Sequence, residues 1–600
     1  MAAALRHRGP DACGTWVGPG VGFAHTRLSL FDLSDVANQP WVEGGDALVF
    51  NGEIYNFGEL RVELEAQGRR FRSTSDTEVL FALLQQRGLD ETLRRIRGMF
   101  AFAFHDGASG TTHLCRDRYG IKPLLYAERT DGVWFASEAK ALLPVAGVEV
   151  DRMLTLFALR TLGDKFQTRT LFRDVRQVAP GSVVSVRAGR VVGDKAYAPL
   201  LDQVDEARYR ELERTRFDQV VDELRYLLER AVDRMAACDA RLGVFLSGGV
   251  DSSLITAIAA AQRHRDLLAF TSDVVGPGSE REAAQDLADG LGVGIETSVF
   301  GAGDWIRHWV ATTWSLETPV ITNPSAVPFG RVARVAHDTG YKAVLTGEAS
   351  DELFLGYPRL ASGGLERVAG APVQALRRLY RRVPGLADAI LDERDSNSSA
   401  FLRGVAGGFE DVAIESEAVD RYSFLPPEQA RLHAVSAVMA QTSLQALLQR
   451  NDRMGMSASI ESRFPFLDED VVKFALNLPV RWKLRRSRAV HDPKHPFVVD
   501  KAPVRAIARS YLDEERAARC KSGFATPGLH GVQIRPGAFR GGWAADAFGA
   551  GRSFDREIAE WHQPYDRAKL MSIEIFGRLF GAGHSVEAVE DFARSTCVEI

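Results

Sequence analysis

The stretch that most limits what this chain can fold into is LGVFLSGGVDSSLITAIAAAQ, residues 242–262. An apolar run leads into a Gly/Ser loop, and apolar residues at helical spacing follow. That order reads as buried strand, tight loop, helix. LLAFTSDV and YKAVLTGE are two further buried-strand patterns in the same half. Strands alternating with helices predict a parallel, doubly wound sheet.

The loop SGGVDSS, Ser247 to Ser253, carries chemistry. Gly248 and Gly249 tolerate positive φ and let backbone approach a ligand closely. The serine hydroxyls and the free N–H groups of the helix start form a cradle for phosphate. Asp251 within that cradle repels phosphate unless a cation lies between them, which implies Mg²⁺. No GK[ST] follows, so this is not a Walker loop. A second segment, TGEASDELFLGY (Thr346 to Tyr357), directly follows the strand pattern YKAVL. It places Glu348, Asp351 and Glu352 where a parallel sheet carries its ligand groups.

The first half has a different texture. From about residue 15 to 195, short apolar runs are broken by turn signals, as in ALVFNGEIYNF and MFAFAFHD. PLLYAE and VWFASE flank Thr130-Asp131-Gly132 and predict a hairpin. DTEVLFALLQQRG predicts a helix capped by the preceding serines and ending near Gly88. Many antiparallel strands with few helices make this half α+β. The charged stretch DQVDEARYRELERTR separates the two patterns, so a boundary is expected near residues 195–215. Two domains, 1–200 and 215–600, suit a length of 600, too great for one core. Residues 358–420 are expected to be helical, the Arg377–Arg382 run a solvated helix face, and residues 531–555 an exposed loop.

Two more segments complete a pattern: RNDRMGMSASIESRFPFLDED, ending at Asp470, and RCKSGFATP, Arg519 to Pro527. Together with SGGVDSS and GEASDELFLGY they resemble, in order and spacing, the asparagine synthetase family, whose loop belongs to the ATP pyrophosphatases. Ala349 departs from the glycine that many relatives carry. The resemblance implies that Leu246, Ser247, Gly248, Gly249, Asp251, Ser252 and Ser253 hold ATP phosphates. It implies that Thr346 and Gly347 touch nucleotide and that Ser272 meets adenine through its backbone. Asp251 and Asp351 would hold Mg²⁺–pyrophosphate, Glu348 would orient or deprotonate the attacking amine, and Lys521 would stabilise charge at the adenylate. Glu461 and Arg463 are expected to pair with each other.

The first half resembles the class II glutamine amidotransferase domain of the same family, through HRGPD, AHTRLSL, NGEIYN, SDTEV, GMFAFAFHD and RDRYGIKPLLY. The implied architecture is an N-terminal-nucleophile-type antiparallel sandwich followed by a doubly wound ATP pyrophosphatase domain with added helices. Arg27 and Asp76 would grip the α-carboxylate and α-amino group of glutamine, with Glu53 in the same binding set. Asn51 and Gly52 would form the oxyanion hole. The family's nucleophile is a cysteine directly after the initiator Met, whereas residue 2 here is Ala and HRGPD begins at residue 7. Cys13 has no free α-amine and is rejected as a substitute. Either the sequence begins at an internal start, or the chain uses free ammonia or an amine. Retention of Arg27, Asn51, Gly52 and Asp76 favours the first.

The implied reaction adenylates the aspartate side chain with ATP and Mg²⁺. Ammonia from glutamine, passing through an internal tunnel, then gives asparagine, AMP and pyrophosphate. One alternative is a relative that amidates or cyclises another carboxylate, as lasso-peptide or β-lactam cyclases do; another is a nucleotide-binding scaffold without turnover. A net charge of −5 gives no reason to expect nucleic acid or an anionic membrane as partner. With 45% hydrophobic and 26% charged residues, no bilayer-length apolar run and no signal-peptide h-region, a cytoplasmic enzyme is expected. Five scattered cysteines fit a reducing compartment. The family's habit leaves a homodimer open.

Overall fold

A computed structural model describes the chain apart from residues 148, 153, 156–167, 263–266, 277–278, 302, 358–408, 488–497, 520–531, 536, 540, 548–563 and 600. Two sheets of different kinds organise it, as the two sequence textures predict. In the first half the strands are β1 (Ala12–Gly18), β2 (Val21–Arg27), β3 (Trp41–Glu43), β4 (Asp46–Ile54), β5 (Gly98–Asp106), β6 (Thr111–Arg116), β7 (Leu125–Arg129), β8 (Gly132–Ala136), β9 (Arg176–Gln177), β10 (Ser182–Arg187) and β11 (Arg190–Ala196). Six of them form an antiparallel sheet in the order β11-β10-β6-β5-β4-β3.

One face of that sheet meets the β1–β2 pair and the β8-β7-β9 sheet through Phe23, Val49, Ala103, Leu114, Tyr126 and Val184. The other face packs Phe50, Phe100 and Phe102 against helices α1 (Phe57–Ala66) and α2 (Asp76–Arg95). This is the sandwich expected from the sequence. The predicted hairpin is β7–β8, with Arg129 paired to Gly132. Gly88 breaks α2 as expected, at φ 72°, but the chain resumes a helical course to Arg95. Leu93, buried on the resumed turn, holds it against the core.

The second half begins with α3 (Glu206–Arg214) and α4 (Phe217–Ala236). The charged stretch between the two patterns is itself folded: α3 buries Tyr209 and Leu212 while its charges stay outside. The parallel sheet follows, with β12 (Leu242–Phe245), β13 (Leu268–Val274), β14 (Gly294–Phe300), β15 (Ala343–Leu345) and β16 (Glu461–Arg463) in the order β14-β13-β12-β15-β16. Helices α5 (Val250–Ala261), α6 (Arg281–Leu291), α7 (Asp304–Leu316) and α8 (Ala326–Asp338) connect its strands. Strand order reverses between β12 and β15, so the sheet's switch point lies between the two segments singled out in the sequence.

Beyond β15 come α9 (Ser350–Phe354), α10 (Phe409–Arg421), α11 (Pro427–Gln441), α12 (Ser443–Met456), α13 (Ala502–Tyr511) and α14 (Pro564–Phe576). The helix α10 covers the end of the 358–420 region expected to be helical; residues 358–408, the Arg377–Arg382 run among them, lie outside the described residues. Residues 531–555 are not simply an exposed loop. Val532–Ile534 pairs with Cys597–Glu599 as a strand, and Trp543–Ala547 is a short helix. Apolar side chains explain the difference: Ile534, Phe539 and Ala544 are buried. The Trp543 indole fills the space left by missing side chains at Gly577 and Gly581.

The halves share one core. Leu30, Met99, Tyr119 and Ile121 of the first pack with Leu246, Leu448 and Phe464 of the second. Buried charge crosses the same boundary. Arg8 bonds Glu138 at 2.8 Å and, through both terminal nitrogens, Asp452 at 2.8 and 2.9 Å. Lys122 Nζ lies 2.8 Å from Glu461, and Arg463 reaches Glu53 at 3.3 Å.

Lys483, just before Leu484 in an apolar corner formed with Leu355 and Leu432, is fully buried. Desolvation pushes its pKa down to about 7 from 10.5. Between those values the unfolded chain binds a proton that the folded chain does not, so stability rises with pH across that window. The burial penalty is fully present below the lower value and gone above the upper one. Replacing Lys483 by Met is expected to stabilise the protein on the order of 2–4 kcal/mol at pH 7, at about 1.4 kcal/mol per pK unit. The gain should shrink as pH approaches 10. Denaturant unfolding of both proteins at pH 7 and pH 9.5 checks this, and an equal or reversed difference at the two values contradicts it.

Candidate active sites

The second half holds a cavity of about 490 Å³ at the carboxyl ends of β12 and β15. Its wall begins with the loop after β12. Gly248 adopts φ +75°, where a Cβ would sit 2.8 Å from Ala283. The Ser252 hydroxyl closes the loop, accepting from Ser247 N at 3.2 Å and lying 3.1 Å from Ser247 Oγ. The N-terminus of α5 follows directly, so its first amide N–H groups, which have no partners within the helix, border the cavity.

The loop after β15 touches the first turn of α5 backbone to backbone. A Cβ on Gly347 would lie 2.5 Å from Ser252 N, so only glycine permits the approach. Leu246, Ser247, Gly249, Asp251, Ser252, Ser272, Thr346, Gly347, Glu348 and Asp351, all singled out in the sequence, line this one cavity. Gly248 and Ser253 do not; Ser253 is buried in the first turn of α5. Lys521 lies outside the described residues.

Two cations in the site escaped sequence reasoning. Lys501, at the start of α13, places its Nζ 2.7 Å from Asp251 Oδ2 and 2.9 Å from Asp351 Oδ1. It is fully buried. A signal existed: a lysine at a helix N-terminus opposes the helix dipole and needs a local reason. Arg450 of α12 pairs with Glu348 and donates to Ser325 Oγ at 2.9 Å.

The donor set fits a nucleotide and its cation. Asp251 Oδ1, Ser272 Oγ and Thr346 Oγ1 are buried without a hydrogen-bond partner among the described residues. Such groups are costly unless something fills them. Among the described residues no cluster of three or more His, Cys, Asp or Glu side chains is placed to hold a metal alone. Two carboxylates beside a phosphate cradle suit Mg²⁺, which takes most of its ligands from phosphate and water.

A second cavity, of about 120 Å³, lies in the first half and is lined by Arg27, Asn51, Gly52, Glu53 and Asp76. The structure thus brings together all five residues expected to bind glutamine. Gly52 sits at φ +142°, with Met99 O 2.0 Å from where its Cβ would be. The Asn51 amide nitrogen is buried with no partner among the described residues. Asp76 accepts from Ile54 N at 2.9 Å, yet burial raises its pKa to about 7. The Arg27 guanidinium donates to Ser34 O at 2.8 Å and to Asn38 Oδ1 at 2.9 Å, which fixes its plane. Cys13 is exposed on β1 and does not line the cavity.

The cavities are linked by one element. Arg450 and Asn451 of α12 line the larger, and Met456, at the end of the same helix, lines the smaller. Five residues of helix, about 8 Å of rise, separate those positions. Glu461 also lines the smaller cavity and pairs with Arg463 at 3.1 Å, so the expected pairing exists, at the boundary between the halves.

A family model described as asparagine synthase matches residues 223–583, and one described as a glutamine amidotransferase domain matches residues 1–198. A Mycobacterium tuberculosis protein, provisionally named a glutamine-hydrolyzing asparagine synthetase, is 33% identical over 80% of this chain and 78% of its own. A Bacillus subtilis glutamine-hydrolyzing asparagine synthetase is 30% identical over 88% of this chain and 84% of its own. A Gibberella zeae protein named amidase chry2 is 27% identical over 83% and 82%.

Proposed function

We propose that this chain, which belongs to the asparagine synthase family, adenylates the side-chain carboxylate of aspartate and then amidates it. As a class it is a glutamine-dependent carbon–nitrogen ligase that uses ATP. The adenylating part of this reading rests on one observation above all: the helix starts carrying Asp251 and Asp351 meet at the sheet's switch point, with Lys501 between the two carboxylates.

In this reading residues 1–200 form the glutaminase domain and residues 215–600 the adenylating domain. A carboxylate resists attack by ammonia because an oxide is a very poor leaving group. Transfer of AMP to that carboxylate supplies a good one. The loop from Leu246 to Ser253 holds the phosphates, with Thr346, Gly347 and Ser272 along the nucleotide. Asp251 and Asp351 would hold Mg²⁺, which when bound neutralises the departing pyrophosphate. Lys501, buried between them, keeps the two acids at close range and adds positive charge to the wall of the phosphate cavity. Glu348 accepts the proton lost by the attacking nitrogen. Lys521 is kept as a second stabilising charge. In the smaller cavity Arg27, Glu53 and Asp76 would hold glutamine, and Asn51 and Gly52 would receive the oxyanion formed when a thiolate attacks its side-chain amide; residue 2, where the family carries that cysteine, is Ala in this sequence, so free ammonium is tested beside glutamine as the nitrogen source. Ammonia then travels beside α12 to the adenylate.

A different carboxylate acceptor is the second reading, kept beside the first because the relatives do not all carry the asparagine synthetase name, one being named amidase chry2. One assay tests both. Purified chain with ATP and Mg²⁺ is given aspartate plus ammonium, aspartate plus glutamine, or other carboxylates, and AMP, ADP and pyrophosphate are measured. Aspartate-dependent AMP and pyrophosphate support the first reading, and release with another acid alone supports the second. ADP as the product, or no turnover under any condition, refutes both.

A further inference from the structure

Glu348 is held from one side only. Its Oε1 pairs with Arg450 Nη2, while its Oε2 has no hydrogen-bond partner among the described residues and the side chain borders the larger cavity. Arg450 is itself fixed on three sides. Its Nη1 donates to Ser325 Oγ at 2.9 Å, and its guanidinium lies 5.1 Å from the centre of the Phe329 ring. Ser325 Oγ donates to Asn323 Oδ1 at 2.9 Å, and Asn323 Nδ2 donates to Ala446 O at 3.2 Å, which returns the chain of bonds to α12. The Arg450 side chain is 7% exposed, and its Nε is buried with no partner among the described residues. Such a closed ring is more than a charge pair needs for stability. It fixes the direction in which one carboxylate oxygen faces the cavity.

We infer that Arg450 is the positioning residue for Glu348, holding one oxygen so that the other meets the incoming amine. The inference rests on the role given to Glu348 above. Guanidinium geometry suits it, because a planar fork holds Ser325 and Glu348 at once, which a lysine ammonium on a flexible stem does less well. Misplacing a proton acceptor by about 1 Å costs on the order of 10²-fold in the step it serves. Adenylation does not use that proton acceptor, so the two half-reactions should part company.

The test compares wild type with Arg450→Met, Arg450→Lys, Glu348→Gln and the double variant Glu348→Gln/Arg450→Met, using the acceptor that the wild-type assay identifies. Two rates are read: acceptor-dependent exchange of labelled pyrophosphate into ATP, and amide formation from ammonium. For Arg450→Met, amide formation is expected to fall tenfold or more, with exchange and the acceptor KM within about threefold of wild type. Arg450→Lys should recover part of the loss, and the double variant should be no worse than the poorer single one, as residues acting as a unit behave. Equal losses in both rates, multiplying losses in the double variant, or a tenfold rise in acceptor KM at unchanged kcat would each overturn the inference. No exchange by wild type with any acceptor would instead remove the functional reading on which it stands.

Discussion

Replacing Lys501 by Met is expected to lower acceptor-dependent pyrophosphate release by about 10²–10³-fold, the usual result of deleting one fixed charge-stabilising group. Three terms act together. The Nζ sits within 3 Å of a carboxylate from the first turn of each of two helices, at 2.7 Å from Asp251 of α5 and 2.9 Å from Asp351 of α9. Without it, two carboxylates face one another with no fixed positive charge between them, and their repulsion disturbs the placement of both. The positive charge that Lys501 brings to the wall of the cavity is lost as well. The lysine is fully buried, so solvent cannot replace it. The carboxylates retain the α5 N-terminus nearby, so the fold should survive, and nucleotide binding should weaken less than turnover. Steady-state pyrophosphate release, ATP titration by fluorescence, and circular dichroism decide the matter. Turnover within tenfold of wild type in a folded variant would mean that Lys501 is a structural tie and nothing more.

Much of this was legible in the sequence because the signal was local. SGGVDSS lies between a strand pattern and a helix pattern, and five contiguous positions specify its loop, its helix start and its acid. The same holds for NGE and for TGEASDE. Those features depend on backbone geometry within a few residues, which composition and spacing record. Lys501 and Arg450 were not found because their meaning is set by partners 102–250 positions away, a relation no local pattern encodes. The charged stretch does part the two patterns, but its fold as α3 was not legible, because a charged amphipathic helix and a charged linker have similar composition. Only the spacing of Tyr209 and Leu212, three apart on one buried face, distinguishes them. The error over residues 531–555 has the same cause: the weight given to glycine hid Ile534, Phe539 and Trp543, whose partners lie at the far end of the chain.

Arg463→Ala should be the most destabilising substitution at the boundary between the two halves, by about 3–5 kcal/mol, the range for removing one partner of a buried charge cluster. Its guanidinium is wholly buried, pairs with Glu461 at 3.1 Å and Glu53 at 3.3 Å, and donates to Met235 O at 2.8 Å and Ala237 O at 2.7 Å. Alanine leaves two carbonyls without a donor and leaves Glu53 and Glu461 with Lys122 as the remaining neighbour of the cluster. Burial already holds the Glu53 pKa well above the ordinary carboxylate range, even with Arg463 opposing it. Removing Arg463 raises it further. A carboxyl whose folded pKa exceeds its unfolded one lends stability at low pH and loses it as pH rises through the folded value. The destabilisation should therefore be smaller near pH 5 than near pH 8, and Glu53→Gln in the Arg463→Ala background should recover part of it at pH 8. The backbone of Arg463 also accepts from Thr346 N at 2.9 Å, so the loss of order should reach the loop that carries Glu348 and Asp351. Denaturant unfolding at both pH values measures the effect. A loss below about 1 kcal/mol, or one equal at the two values, would show that the cluster does not hold the halves together through this charge.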